Sequence, residues 1–250
     1  MCTSGVALNR PEIREALVEL GVDAVSVSLD SAVPIRNDQW RPPRRDSDGW
    51  EAVVRGIGAL IEARGPAPRP KDGIYNVITR LNLADIVAMP ELAAGLGCDY
   101  AVPQPIALDA GHRLSAELSL TADLLPELTA RFDELYAAGP PPVLPEHAYA
   151  GQVASAVARP TDLVPGCFGS DTLYFVQPDG TVWDCPSGLT IAATPPERHR
   201  SIKGATAREL FQVPPGCGSD CALFSVDCVN LWPLTGFPVL APTGQEASRA

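Results

Sequence analysis

Residues 21–31, GVDAVSVSLDS, contain the segment that decides the fold. The run 24–29 (AVSVSL) is short and largely apolar, which is typical of a buried strand. The amphipathic segment 11–20 (PEIREALVEL) comes directly before it and predicts a helix that ends at Gly21. A helix that leads into a short buried strand is a repeating element of α/β folds.

The same alternation continues downstream. The segment 47–64 predicts a second helix, with Ser47 as its N-cap. The next strand, helix and strand are expected over 74–80, over 83–96 and from 100–102 onward. Pro90 is expected to kink or restart the helix that contains it. Strands that alternate with helices of this length indicate right-handed βαβ units and a parallel sheet.

Beyond this region the composition and the predicted secondary structure change. Residues 111–138 have a helical pattern, and a proline-rich link follows at 139–145. Short strands, turn residues and most of the cysteines come after residue 160. We therefore expect an α/β domain, a helical connector with a proline-rich linker, a cysteine-rich domain and a disordered tail, at 1–110, 111–160, 161–241 and 242–250.

Composition excludes some classes of function. The formal net charge is −11, from 19 Lys and Arg against 30 Asp and Glu, which argues against binding to nucleic acid or to an anionic membrane surface. No apolar run is long enough to span a bilayer, and the N-terminus lacks the pattern of a signal peptide. We therefore expect a cytoplasmic protein, whose seven cysteines stay reduced and free to bind metal.

Cys167 and Cys185 bracket a predicted β-hairpin, whose strands 173–177 and 181–185 are joined by a Pro-Asp-Gly turn at 178–180. Such a hairpin brings its two ends together, so both thiols can face one metal centre.

A second pair of cysteines, Cys217 and Cys221, lies in the glycine-rich stretch GCGSDC, and Cys228 follows. Four thiolates from two separated pairs suit either a tetrahedral zinc ion or an iron–sulfur cluster, and the spacing alone does not decide between them. Cys2 and Cys98 lie apart from this group, and we expect both to be structural.

The cysteine-rich half resembles a known module. The stretch 167–185 is similar to the opening half of a SPASM or twitch domain, the C-terminal auxiliary-cluster module of radical SAM enzymes. The run 217–228, CGSDCALFSVDC, resembles the later cysteines of such modules, although each gap is one residue longer than the common pattern. The resemblance implies one auxiliary 4Fe–4S cluster, with ligands drawn from Cys167, Cys185, Cys217 and Cys221 and with Cys228 in reserve.

The N-terminal half resembles the same superfamily in four stretches, which are 3–5 (TSG), 21–31, 37–41 (NDQWR) and 76–82. The resemblance implies an α/β fold: a partial parallel βα (TIM-like) barrel followed by a small cysteine-rich β-hairpin domain for the auxiliary cluster. The carboxyl ends of the strands form the working face of such barrels, where we expect Ser28, Asp30 and Arg80. The resemblance also implies that Ser28 and Arg41 bind the ribose and the carboxylate of S-adenosylmethionine (AdoMet).

The function implied is radical-based modification of a peptide or a small-molecule natural product. The CxxxCxxC loop that defines the superfamily does not occur in this sequence. Two explanations compete: the chain is truncated at its N-terminus, which we expect, or the protein has lost its radical cluster. In either case we expect that this chain does not cleave AdoMet by itself, and that a full-length parent uses that cofactor. Two alternatives stay open: a non-catalytic zinc-binding or scaffold protein with a four-cysteine site, and a radical SAM alcohol dehydrogenase of a biosynthetic pathway.

Overall fold

The structure is a computed structural model that describes residues 1–106, 108, 111–138, 143–159, 174–184, 191 and 194–210. The five cysteines predicted to bind a metal centre lie outside the described residues, as does the tail predicted to be disordered: Cys167, Cys185, Cys217, Cys221, Cys228 and 242–250. The domain limits inferred from the sequence stay a prediction.

Four parallel strands form the main sheet, in the order β1-β2-β3-β4. These strands are β1 (Cys2–Thr3), β2 (Ala24–Ser28), β3 (Lys71–Ile78) and β4 (Tyr100–Pro105). The helices that connect them are α1 (Pro11–Glu19), α2 (Pro34–Trp40), α3 (Trp50–Arg64) and α4 (Asp85–Leu96). The predicted α/β class with a parallel sheet is thereby confirmed.

The main core lies between one face of this sheet and the helices. Val25, Val27 and Leu29 of the β2 region alternate along the chain and pack with Ile74 of β3. The helices α1, α3 and α4 cover them with buried side chains, among them Leu17, Ile57, Leu60, Met89 and Ala93. Burial of these apolar side chains holds the helices against one face of the sheet, and the opposite face of the sheet is left for other contacts.

The predicted N-cap of α3 is wrong. Gly49, not Ser47, is the N-cap residue, and Ser47 lies in a 3-10 turn before it. The backbone N–H of Trp50 donates to Asp38 Oδ1 at 2.8 Å, so a carboxylate from α2 caps α3. A Cβ at position 49 would lie 2.5 Å from Asp38 Oδ2, which explains the glycine.

α4 continues through Pro90 as one helix, so the expected restart does not occur. The helical pattern of 111–138 divides into α5 (Ser115–Leu118), a 3-10 turn (Ala122–Leu124) and α6 (Leu125–Ala137). A further helix, α7 (His147–Ala158), lies in the predicted connector beyond the segment with the helical pattern. α6 and α7 form a second core with α4, centred on Ile86, Leu128, Phe132, Tyr149 and Val153.

A small antiparallel sheet follows, with strands β5 (Phe175–Val176), β6 (Thr181–Trp183) and β7 (Arg200–Ser201), and then helix α8 (Ala207–Leu210). Its first two strands pair as the predicted hairpin, with Phe175 opposite Trp183. The turn closes as Gly180 N–H donates to Gln177 O at 2.9 Å, with Gly180 at φ 90°. None of the helices in the described residues has both the length and the apolar character needed to cross a membrane.

An ion cluster closes the amino end of the main sheet. Arg64 Nη1 lies 3.0 Å from Asp72 Oδ2 and also contacts Asp99, while Lys71 Nζ donates to Asp99 Oδ1 at 3.0 Å. Burial raises the pKa of Asp72 to about 7, although the Arg64 charge opposes this. Burial also acts to raise the pKa of Asp99, but hydrogen bonds from the Asp72 N–H, Arg64 and Lys71 outweigh it and lower that pKa. Asp72 is therefore the carboxyl whose ionisation the fold opposes.

We expect the unfolding free energy to fall between pH 4 and pH 7 because of Asp72. The pKa of Asp72 in the folded protein, about 7, exceeds the ordinary 3.8. Between these two pH values the folded protein keeps a proton that the unfolded chain has released, so rising pH favours unfolding. A pKa higher by about three corresponds to roughly 4 kcal/mol as an upper limit. Asp72→Asn should remove this part of the pH dependence, measured by urea denaturation at several pH values. Glu15→Gln, at an exposed helix position, is the matched control, and equal pH slopes for Asp72→Asn and the wild type would contradict the assignment.

Candidate functional site

The face of the main sheet that points away from α1 and α3 is called the inner face here. Strand register arranges its side chains in rows across β2, β3 and β4. The first row is Ser26, Gly73 and Tyr100, and the second is Ser28, Tyr75 and Val102. A third row, at the carboxyl end, pairs Val77 with Gln104. The carboxyl ends of parallel strands are where α/β proteins place their ligands.

A tyrosine closes the bottom of the inner face. The ring of Tyr100 lies across Gly73, where a Cβ would come within 2.1 Å of it. Tyr100 Oη then lies 2.7 Å from Ser26 Oγ on the far strand, a buried hydrogen bond, and Tyr75 packs edge-on against the ring with centroids 6.1 Å apart. Burial raises the pKa of Tyr100, so its hydroxyl stays protonated. This row makes a rigid, neutral floor.

Above the floor the side chains are uncharged, with the polar groups of Ser28, Tyr75 and Gln104 next to the apolar Val77 and Val102. Ser28 and Tyr75 are half-buried neighbours in the second row, and Ser28 Oγ forms no hydrogen bond within the described residues. The side chain of Gln104, which is 7% exposed, lies at the carboxyl end of β4. A surface of this kind can bind a polar organic group without attracting a free ion.

Asp30 joins three elements at the carboxyl end of β2. Its Oδ1 accepts from the Val77 N–H at 3.1 Å, and its own N–H donates to Asn37 Oδ1 at 3.1 Å. Arg41 Nε donates to the second carboxylate oxygen of Asp30. The structure thus places Arg41 beside Asp30, which lies two residues after Ser28 at the carboxyl end of β2, while the role of Arg41 in binding stays a prediction.

Asn82 anchors the backbone behind this site and is 1% exposed. Its Oδ1 accepts from Thr79 N at 2.7 Å and from Thr79 Oγ1 at 3.0 Å. Its Nδ2 donates to the carbonyl oxygens of Asp30 and Val77, each at 2.9 Å. One buried amide therefore ties the end of β2 to the end of β3.

Arg80 differs from expectation. It follows β3 at the same end of the sheet, but Nη1 donates to Ala116 O at 3.2 Å and Nη2 lies 3.9 Å from Asp123 Oδ2. Its guanidinium therefore links β3 to the α5 segment and is not an open group of the site.

The sequence reasoning missed Tyr75, Tyr100 and Gln104 as residues of the inner face. The period of two along 100–104 and the glycine at position 73 were the available signals.

Among the described residues, no group of three or more His, Cys, Asp or Glu side chains could hold a metal ion. Cys98 is buried, and burial raises its pKa to about 12, which fits the predicted structural thiol.

No family model and no curated protein matches the sequence. Solved structures do match its fold. One is native anSMEcpe with bound AdoMet and Kp18Cys peptide, at 15% identity and a TM-score of 0.56, with 85% of this chain and 56% of that chain covered. Another is Streptococcus suis SuiB bound to S-adenosylmethionine, at 12% identity and a TM-score of 0.56, covering 85% of this chain and 48% of that one.

SuiB bound to its precursor peptide SuiA also matches, at 13% identity and a TM-score of 0.54, covering 85% of this chain and 47% of that chain. The chain thus spans about half the length of these proteins. At such identities the likeness concerns the fold, and the chain has an α/β fold similar to that of anSMEcpe and SuiB.

We expect Asn82→Asp to destabilise the protein by roughly 3 kcal/mol or more, because two buried carbonyls lose their donor and a charge is buried in its place. Urea denaturation measures the change. Gln39→Glu, the corresponding amide-to-acid change at an exposed position of α2, is the control and should be nearly neutral. An equally small effect for both variants would show that the Asn82 hydrogen bonds do not hold the two strand ends together.

Proposed function

We propose that this chain is part of a radical SAM-type enzyme that modifies a peptide and binds AdoMet at the carboxyl end of its parallel sheet. The observation that carries the proposal is the uncharged inner face, on which polar groups lie beside apolar ones, bounded by Ser28 and by the Asp30–Arg41 pair. It stands in a fold similar to those of two proteins solved with AdoMet. The chain spans about half of their length, so the activity of a whole enzyme of this kind belongs to the proposal.

The side chains present fit the polar groups of AdoMet. Arg41 uses Nε for Asp30, so its two Nη groups are left for the carboxylate of the amino-acid part. Asp30 holds the guanidinium in place through its contact with Arg41 Nε. The Ser28 hydroxyl has no hydrogen-bond partner among the residues that the structure describes, and it would contact the ribose two residues before Asp30. When bound, AdoMet supplies the radical chemistry that the sequence resemblance implies.

The inner face would serve this chemistry by excluding water. The Tyr100 ring fills the space that Gly73 leaves open, and its hydrogen bond with Ser26 closes the bottom of the site. The uncharged side chains of the inner face neither donate protons readily nor compete with the cofactor for Arg41. These residues bind, orient and shield, which is what a barrel contributes when the cofactor carries the reactive group.

A peptide substrate and an auxiliary 4Fe–4S cluster complete the proposal. The similar structures include complexes with the Kp18Cys peptide and with the precursor peptide SuiA, which supports a peptide as the substrate class. For the cluster, the support is the cysteine pattern of the sequence together with the described hairpin pairing of β5 and β6. Candidate ligands are Cys167, Cys185, Cys217 and Cys221, with Cys228 as a fifth. A cytoplasmic location agrees with the reduced thiols that this site requires.

We expect Arg41→Ala to weaken binding of the unreactive analogue S-adenosylhomocysteine by roughly 10- to 100-fold, because a charge-assisted contact to the carboxylate is lost. Ser28→Ala should weaken it roughly threefold to tenfold. Isothermal titration calorimetry measures both. Arg55→Ala, at an exposed position of α3, is the charge-matched control and should bind like the wild type. Unchanged affinity in both site variants would refute the assigned AdoMet site.

We expect the purified chain, reconstituted anaerobically with iron and sulfide, to bind about four iron and four sulfide per chain and to turn brown. Replacing Cys167 and Cys217 together with Ser should abolish this, whereas Cys98→Ala should retain the cluster. Iron and sulfide analysis decides the outcome. Binding of one zinc ion in a colourless protein would instead favour the alternative of a zinc-binding scaffold with four cysteine ligands. Turnover of an alcohol, but not of a peptide, would favour the dehydrogenase alternative.

A further inference from the structure

Gln104 is a buried amide that the fold does not use. Its side chain is on the inner face, because it alternates with Tyr100 and Val102 along β4 and the Tyr100 ring lies on that face. The residue is 7% exposed, and within the described residues its amide forms no hydrogen bond. The amide atoms of Gln104 are not among the fully enclosed unpaired atoms of the described residues, so they keep a small contact with solvent through which a ligand can reach them.

An amide without a partner in a buried position is uncommon and points to a ligand where a ligand can reach it. The packing does not require Gln104, since methionine would fill a similar volume without a polar group. Asn82, at the same end of the sheet, is fully satisfied by four hydrogen bonds. Asn76 of β3 also lacks a partner, but it is fully enclosed and alternates with Tyr75 and Val77, so it faces the helices. Within the described part of the sheet, Gln104 is the unpaired amide that faces the candidate site.

The position of Gln104 defines which part of a ligand it can meet. Its register partner is Val77, whose N–H is bound by Asp30, the residue that also holds Arg41. β4 is two strands away from β2, which is roughly 10 Å at the usual strand spacing. A ligand that touches Arg41 or Ser28 with one end would present its far side to Gln104.

We propose that Gln104 binds a planar ligand group that carries an N–H donor beside an acceptor, through one hydrogen bond given and one received. A glutamine amide pairs in this way with the N6 and N7 edge of adenine, and equally with the N–H and C=O of a peptide group. The inference rests on the proposed function, because the cofactor and the substrate class named there supply these two groups. Gln104 would thus determine specificity at the side of the site opposite Arg41.

The test uses the Gln104 side-chain amide itself as the reporter. In the 15N-labelled protein, its NH2 resonances are identified by their absence from the Gln104→Met variant. The protein is then titrated separately with S-adenosylhomocysteine and with N-acetylglycine N-methylamide, a minimal peptide-group probe. We expect the Gln104 resonances to shift with one probe, and Gln104→Met to weaken binding of that probe about tenfold. Gln152→Met, at an exposed position of α7, is the matched control and should change neither affinity.

The outcomes separate this inference from the proposed AdoMet site. A shift with S-adenosylhomocysteine alone assigns Gln104 to the nucleoside, and a shift with the peptide probe alone assigns it to the substrate. If S-adenosylhomocysteine binds the wild type and depends on Arg41 but neither probe moves the Gln104 resonances, this inference is wrong and the AdoMet site stands. If S-adenosylhomocysteine does not bind while the peptide probe shifts Gln104, the AdoMet site is wrong and the amide assignment stands.

Discussion

The hydrogen bonds of Asp30 hold the carboxyl end of the sheet together. One carboxylate oxygen accepts from the Val77 amide of β3, and the other holds Arg41 beyond α2. Its backbone N–H donates to Asn37, and its carbonyl accepts from Asn82. A single residue thus fixes two strand ends and the helix between them. The side chains on either side of it can be placed accurately because their backbone cannot move independently.

The two ends of the sheet have different physical characters. The amino end concentrates charge, with Arg64, Lys71, Asp72 and Asp99 in one partly buried cluster. At the carboxyl end the inner face itself is neutral, and the Asp30–Arg41 pair stands at its margin. Barrel proteins commonly divide stability and function between these two ends. The charge cluster costs stability at neutral pH through Asp72 but lies away from the candidate site.

Local patterns in the sequence predicted the main elements closely. The strand expected over 24–29 occurs as Ala24–Ser28, and the helix expected over 47–64 occurs as Trp50–Arg64. Both depend on the periodic placement of apolar side chains, which a single segment contains.

The errors arose where a distant residue decides the structure. Asp38 caps α3 from another helix, so the local signal at Ser47 was misleading. The strand predicted from 100–102 onward occurs as β4 (Tyr100–Pro105), and its Pro103 and Pro105 are tolerated because β4 lies at the edge of the sheet that the described residues form. The inner-face role of Gln104 follows only once strand register is known. For the same reason the sequence could suggest Ser28 and Arg41 through a family resemblance but could not show that Asp30 holds Arg41 at the end of β2.

Gly73 also constrains how the sheet assembles. Its missing side chain leaves room for the Tyr100 ring at one position along β3 and nowhere else. Sliding β4 by two residues would press that ring against Lys71 or Tyr75, and sliding it by one would turn the tyrosine toward the helices. An empty place in one strand therefore selects the alignment of its neighbour while the chain folds. Gly73 therefore fixes the register of β4 through the Tyr100 ring that packs over it.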